Sequence, residues 1–502
     1  MTPNYNIVGT ILFSQSLAEI KNQLKSLRKD RFDPLDRIVI NQDTVDEYPY
    51  VDGVGTKLIE IQKIINSVDI SNCFILLVTP NTNILEEIEF VTQFYSVDTT
   101  PIEFLLVEGR YDKQIKKYKN TACLKLWNHL YVGTDGNVNP CCLADRRFPI
   151  GNINNDDLDH IIKNKAQPIR NHMMQGYRNR ACATCYERED FGLKNGRIEC
   201  DPTKNNIIIN DIDIRLNNIC NFKCRSCSEY FSSAIQQETI KMYGKDAVLG
   251  FEKVSLETTS SQFKNQQLTK ILSKITPDIK RIYFAGGEPL LMPEHYKILE
   301  HLIDIQNTNL NIKYNTNLST LCYKNLNVID YWQKFDNINI GASIDCSDAA
   351  AEYMRHGTVW KNILNNIDLI KNQASHVKLK IASTVSFLTI KNLIELQCTW
   401  IDQKLFDVSD FEVSLLTSPI FLSPSVLPQH HKNRLSILIS DHIKRFDGTD
   451  LALQWQSVLQ WMNNNDHTYA LIDFKNRTKT LDTHRNESFQ HVFPEFCDLY
   501  TS

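Results

Sequence analysis

The 502-residue sequence has no long hydrophobic run. Its longest apolar stretches are of the length of Phe74-Ile75-Leu76-Leu77-Val78. A helix that crosses a bilayer needs about 20 consecutive apolar residues, so no membrane span is expected. There is no excess of basic charge either: 55 Lys and Arg against 59 Asp and Glu leave a net charge of −4. Nothing in that balance attracts nucleic acid, and nothing in it suggests an acidic tail. The opening residues Met1-Thr2-Pro3-Asn4-Tyr5-Asn6 lack the basic region of a secretory signal, so a cytoplasmic protein is expected. What is abundant is cysteine, 14 residues in all. The cysteines are clustered rather than spread, with Cys141 beside Cys142 and Cys182 three residues before Cys185. In a reducing compartment such clustering points to metal or redox chemistry, not to a disulfide framework.

Hydrophobic and charged contents of 42% and 23% are those of an ordinary globular protein. The length suits roughly two to four domains. Residues 1–118 alternate strand-like and helix-like segments, beginning with a strand from Ile7 and a helical repeat at Leu17, Ile20, Leu24 and Leu27. That order predicts a Rossmann-like α/β domain for substrate recognition, or a degenerate glycosyltransferase-like domain, though no Gly-rich phosphate loop or DxD metal site is present. Cys73, beside a strand, reads as a core thiol. In residues 119–200 an Asp135-Gly136 turn between Leu130-Tyr131-Val132 and Asn137-Val138-Asn139 predicts a β-hairpin. A helical stretch through Met173 and Met174 follows. Residues 201–430 repeat strand and helix six times, with strands expected at 212–216, 281–284, 311–315, 338–344, 377–385 and 410–416. Residues 431–502 read as a helical extension. Its Thr480–Phe489 segment reads as a polar loop entering an amphipathic helix, its charges forming a solvated face.

The segment Cys220-Asn221-Phe222-Lys223-Cys224-Arg225-Ser226-Cys227 follows the first of the six strands. Four thiolates close a cubane iron–sulfur cluster; three leave one iron open to a small molecule. Three incidental cysteines or a zinc knuckle are the alternatives. The CxxxCxxC spacing resembles the cluster motif of the radical S-adenosylmethionine (SAM) superfamily, except that Ser226 stands where an aromatic residue is usual. The resemblance implies a partial (β/α)6 barrel and a [4Fe–4S] cluster on Cys220, Cys224 and Cys227. It also implies SAM bound to the open iron and cleaved there to a 5′-deoxyadenosyl radical that takes a hydrogen atom from the substrate.

The second strand runs into Ala285-Gly286-Gly287-Glu288-Pro289, similar to the superfamily's GGE(P) segment, which implies that Gly286, Gly287 and Glu288 hold the SAM amino group. Asn315, Ser343 and Arg355 stand at positions that imply further SAM contacts. Asp345 is a candidate base and Cys346 a candidate hydrogen donor, with helix capping and an inert core thiol as their structural alternatives; Cys322 is a second such thiol. For His356 a structural role is expected. In 119–200, Cys123, Cys141, Cys182 and Cys185 resemble the auxiliary-cluster module called twitch or SPASM, implying one auxiliary [4Fe–4S] cluster; Cys₄ zinc is the alternative. Cys142 and Cys200 are spare thiols, Cys142 being a possible substitute for Cys141. Relatives carry this module after the barrel, whereas here it comes first. The implied function is a radical SAM enzyme that oxidises its substrate radical through the auxiliary cluster. The expected partners are a reductant such as flavodoxin or ferredoxin and a peptide or protein substrate. A redox-neutral epimerase, a small-molecule dehydrogenase and a zinc-stabilised binding protein are the rivals.

Overall fold

In the computed structural model, residues 120–501 are described except for 147, 191–195, 202–205 and 245–260, together with four strands within residues 1–119. Those four, β1 (Ile7–Leu12), β2 (Arg37–Val39), β3 (Cys73–Val78) and β4 (Ile102–Leu106), pair in parallel in the order β2-β1-β3-β4. The helices expected between them, and the surroundings of Cys73, lie outside the described residues. The chain divides into two compact units, residues 1–121 with 167–178, and residues 122–166 with 179–502.

The second unit is built on one nine-stranded sheet. The strands are β5 (His129–Val132), β6 (Asn137–Asn139), β7 (Gly151–Asn152), β8 (Asp211–Ile214), and, after the two-residue β9 (Lys223–Cys224), β10 (Arg281–Phe284) and β11 (Asn311–Thr316). A small hairpin of β12 (Cys322–Tyr323) and β13 (Leu326–Asn327) precedes β14 (Asn337–Ser343). The two-residue β15 (Arg355–His356) pairs with β9, and β16 (Lys378–Val385) and β17 (Phe411–Leu415) complete the set. Strands β8, β10, β11, β14, β16 and β17 run parallel and adjacent. These are the six expected strands, displaced by at most two residues at any end. Helices between successive strands, such as Pro293–Asp304, Trp360–Gln373 and Ile390–Asp402, follow the expected strand–helix repeat.

Alternation along these strands decides what the barrel is for. Ile282, Phe284, Ile312, Tyr314, Ile338, Ile340, Ile381 and Val385 are fully buried. Helix faces such as Ile298, Leu299 and Leu302, or Ile363, Ile367 and Ile370, are buried likewise. Burying each aliphatic side chain contributes about 1.5–3 kcal/mol. The intervening positions are polar or small, and Arg215, Tyr283, Asn315, Ser343, Thr384 and Leu416 line one shared cavity. A strand exposes alternate residues on opposite faces, so the apolar core lies outside the sheet and the lumen is left for a ligand.

The expected hairpin is present, with Tyr131 opposite Asn139 and Gly136 at φ +80°. It does more than expected: β5 pairs in parallel with β8, Tyr131 against Asp213, and so β5, β6 and β7 extend the six parallel strands to a sheet of nine. The carboxylate of Asp135, buried in the turn, accepts from the Asn137 backbone N–H at 3.0 Å and from the Tyr230 hydroxyl at 3.2 Å.

The expectation for the carboxy-terminal segment needs correcting. Residues Leu471–Arg485 are helix, ending at Asn486 in the left-handed region, and the charges at Asp482, Arg485 and Glu487 are held in ion pairs rather than solvated. Asp482 is buried and accepts from Arg225 at 2.6 Å, the Tyr353 hydroxyl at 2.7 Å and the Phe489 backbone N–H at 2.7 Å. Glu487 accepts from Arg225 and faces His356 Nδ1, both at 2.5 Å, so His356 has a structural partner, as expected. Arg485 pairs with Glu238, which also takes Lys223 at 2.8 Å. Burial alone would raise the Glu238 pKa, but the hydrogen bonds from Arg485 and Lys223 outweigh it and bring it to about 2.

Removing one partner of a buried ion pair strands the other. Asp482→Ala is therefore expected to cost about 3–5 kcal/mol in denaturant unfolding, while Lys479→Ala, exposed on the same helix, should stay within about 0.5 kcal/mol. Because the folded pKa of Glu238 is depressed, its contribution is full above the ordinary value of 4.5 and is lost as the pH falls toward 2. Glu238→Gln should flatten the acid limb of the stability curve in that window; an unchanged acid limb would contradict the assignment.

Candidate active site

The eight-residue cysteine loop leaves the end of β8 and is fixed by residues between its sulfurs. Phe222 is fully buried, and its carbonyl accepts from Ser232 Oγ at 2.7 Å. The same Ser232 oxygen caps the helix Ser233–Tyr243 by accepting from the Ile235 backbone N–H. Lys223 and Cys224 form β9 against β15. The Arg225 backbone N–H donates to the Met354 carbonyl at 2.8 Å, and its guanidinium lies 3.6 Å over the Tyr353 ring on its way to Asp482 and Glu487. Phe222 and Arg225 are thus buried anchors of the loop, and Cys220, Cys224 and Cys227 open on the barrel cavity, about 830 Å³ in volume. A smaller cavity of about 230 Å³ also reaches Cys224 and Cys227.

The GGEP turn is stitched to this loop. The Glu288 backbone N–H donates to the Ile219 carbonyl at 2.7 Å. Gly287 has φ +55°, and a Cβ there would lie 2.5 Å from the Ile219 carbonyl oxygen. Only glycine permits that approach. Gly286 and Gly287 line the cavity. The Glu288 side chain is buried and turned to the next strand end, accepting from Thr316 Oγ1 at 2.7 Å and from the backbone N–H groups of Asn317 at 2.6 Å and Leu290 at 3.1 Å. Burial raises its pKa to about 7 against the pull of those three donors. Asn317 in turn donates to Asn221 at 2.9 Å, inside the cysteine loop.

Asn315, Ser343 and Arg355 line the cavity as well. Asp345 is buried beside them: it accepts both arms of Arg355, at 2.8 and 3.0 Å, and the Thr384 backbone N–H at 2.7 Å. Three accepted bonds leave this carboxylate little capacity for a base's work. Arg355 is braced so that Nη1 sits 3.9 Å from Cys224 Sγ. Cys346 is fully buried and Cys322 is exposed on the β12–β13 hairpin.

The second cysteine group converges too. The Cys182 thiol is pushed well up by burial and by the neighbouring Cys141, Cys123 and Cys185 sulfurs, in that order. The Ile198 backbone N–H points at Cys123 Sγ from 3.4 Å. Cys141 is raised to about 12, by burial first and Cys142 next. In the barrel loop, Cys220 and Cys227 are each pushed up to about 12 by burial first and then by Cys224. Metal-free, such thiols hold their protons at neutral pH, and metal binding must displace them. Cys142 neighbours this group through Cys141, and it also lines the barrel cavity. Of the cavity residues, Tyr131 and Arg215 were not singled out from the sequence, and Cys142 was named there only as a possible substitute for Cys141. Only the alternation of Asp211, Asp213 and Arg215 with Ile212 and Ile214 signalled a polar inner face.

Comparison with known proteins agrees with this arrangement. Residues 214–391 match the radical SAM superfamily, and residues 123–186 match the SPASM iron–sulfur cluster-binding domain. Residues 214–391 of the chain thus carry a radical SAM domain and residues 123–186 a SPASM domain. Its cofactors are accordingly a [4Fe–4S] cluster and SAM in the barrel and iron–sulfur binding in the SPASM module. Among solved structures, anSMEcpe with bound AdoMet and Cp18Cys peptide matches at 17% identity over 47% of this chain and 59% of that one, with a TM-score of 0.30. Streptococcus suis SuiB bound to S-adenosylmethionine matches at 13% identity over 47% and 48%, with a TM-score of 0.29. The chain thus spans less than two-thirds of the length of these relatives. No curated protein matches it. Among the described residues, no helix is long and apolar enough to cross a membrane.

Gly287→Ala forces a Cβ against the Ile219 carbonyl, one residue from Cys220. The variant is expected to lose barrel-cluster iron on anaerobic reconstitution and to unfold at lower denaturant. Iron content and midpoint equal to wild type would show that the approach is not needed.

Proposed function

We propose that Cys220, Cys224 and Cys227 hold the catalytic [4Fe–4S] cluster of this radical SAM protein, with SAM in the barrel lumen. The observation that supports this reading is the shared cavity: three loop sulfurs and the ends of β10, β11 and β14 open on one space large enough for a cofactor and part of a substrate. When bound, the cluster and SAM supply a 5′-deoxyadenosyl radical that removes a hydrogen atom from the substrate. The protein's own contribution is position, charge and exclusion of water. Gly286 and Gly287 offer backbone to the SAM amino group, and Asn315 and Ser343 offer polar side chains from neighbouring strand ends. Glu288 acts behind the cavity wall, holding Asn317 and through it the cysteine loop. Arg355, held by Asp345, places a cation beside Cys224 and favours the thiolate there. Asp345 is thus proposed as a positioning residue rather than a base, and Cys346 as a core thiol.

Cys123, Cys141, Cys182 and Cys185 are proposed as the residues that would hold one auxiliary [4Fe–4S] cluster, a group able to accept one electron. A peptide or protein side chain is the proposed substrate, as in relatives bearing this module, and a flavodoxin- or ferredoxin-like protein the proposed electron donor. The first 118 residues are proposed to select the substrate.

Anaerobic reconstitution of wild type should give about eight irons per chain and, with a chemical reductant, 5′-deoxyadenosine. Replacing Cys220, Cys224 and Cys227 by Ala should leave about four irons and abolish 5′-deoxyadenosine. Continued formation of that product by the triple variant would refute the assignment.

A further inference from the structure

Two adjacent cysteines part company at the end of β6. The Cys141 sulfur sits with Cys123 and Cys182. Cys142, the next residue, keeps its open surface toward the barrel cavity, which it shares with Cys220, Cys224 and Cys227. Its thiol lies near the Asp213 carboxylate. Asp213 lies in register between Tyr131 of β5 and Tyr283 of β10, and Arg215 pairs with it at 3.1 Å. Tyr131, Arg215 and Tyr283 line the same cavity. The thiol therefore stands on the lumen face of the barrel, in the space where the radical reaction is placed. Neither thiol singled out from the sequence as a hydrogen donor does so: Cys346 is sealed in the core, and Cys322 lies on the outer hairpin.

We propose that Cys142 is not an auxiliary-cluster ligand but the hydrogen-atom donor to a carbon radical formed in the barrel cavity. The proposal rests on the radical SAM reading above and selects its redox-neutral form, because a substrate whose radical is quenched by a thiol keeps its oxidation state. In the step, the Cys142 S–H bond breaks and a C–H bond forms, leaving the unpaired electron on sulfur. One electron from the one-electron reductant that SAM cleavage already requires, with one proton from water, restores the thiol.

Wild type, Cys142→Ser, Cys142→Ala and Cys141→Ser are reconstituted anaerobically as full chains, and iron is counted before any turnover. Both Cys142 variants should load as much iron as wild type, whereas Cys141→Ser should lose about four irons. Iron loss from the Cys142 variants with retention in Cys141→Ser would overturn the proposal by making Cys142 the ligand. Each protein is then given SAM and a chemical reductant in deuterium oxide with no other substrate, and the 5′-deoxyadenosine is weighed. An exchangeable S–D facing the cavity should put one deuterium on most of the wild-type product. That fraction, read per molecule formed, should drop several-fold in both Cys142 variants. Equal labelling in wild type and variants would overturn the donor role while leaving the SAM chemistry intact. No 5′-deoxyadenosine from wild type would instead overturn the radical reading and this proposal with it.

Discussion

Three sulfurs share one inorganic core only if the loop that carries them is held still, and in this protein the holding is done by the residues between them. Backbone entropy of about 1–2 kcal/mol per residue opposes ordering an eight-residue loop. It is offset by the Phe222 anchor, the two-residue pairing of β9 with β15, and the Arg225 guanidinium clamped by Tyr353, Asp482 and Glu487. From the opposite side, the Glu288 N–H and the Asn317 amide tie the same loop to the ends of β10 and β11. The carboxy-terminal helix therefore supports the proposed cluster site without touching the cavity through Asp482 or Glu487.

The rest of the architecture follows from where the apolar residues are put. With isoleucines facing outward under helices, the lumen is free for Arg215, Tyr283, Asn315, Ser343 and Thr384. The pairing of β5 with β8 brings the SPASM hairpin into the same sheet, so Tyr131 and Cys142 of that module line the barrel's own cavity. A module that precedes the barrel in sequence is thereby joined to it by backbone hydrogen bonds rather than by a loose surface contact.

Much of this was legible in the chain itself. Two-residue alternation located all six barrel strands, and the Asp135-Gly136 turn located the hairpin, because both signals are local. The cysteine spacing located both groups of sulfurs. What escaped were relations between distant residues. Asp482 reads as a surface charge until Arg225, 257 positions earlier, is brought beside it. The edge that β5 would join is not written in its own periodicity. Glu288 reads as an acid that holds the SAM amino group, yet its two oxygens are taken by Thr316, Leu290 and Asn317. The direction each of Cys141 and Cys142 faces depends on how the hairpin docks, which spacing does not encode. The expected helices of residues 1–118 lie outside the described residues.

The central claim is that three protein sulfurs leave one iron of the barrel cluster open toward the lumen, where SAM binds it directly. Electron–nuclear double resonance on the reduced cluster, with SAM carrying nitrogen-15 at its amino group and carbon-13 at its carboxylate, tests this at the atom concerned. The account predicts resolved hyperfine coupling to both labels in wild type. A cluster spectrum that is the same with and without labelled SAM would contradict it.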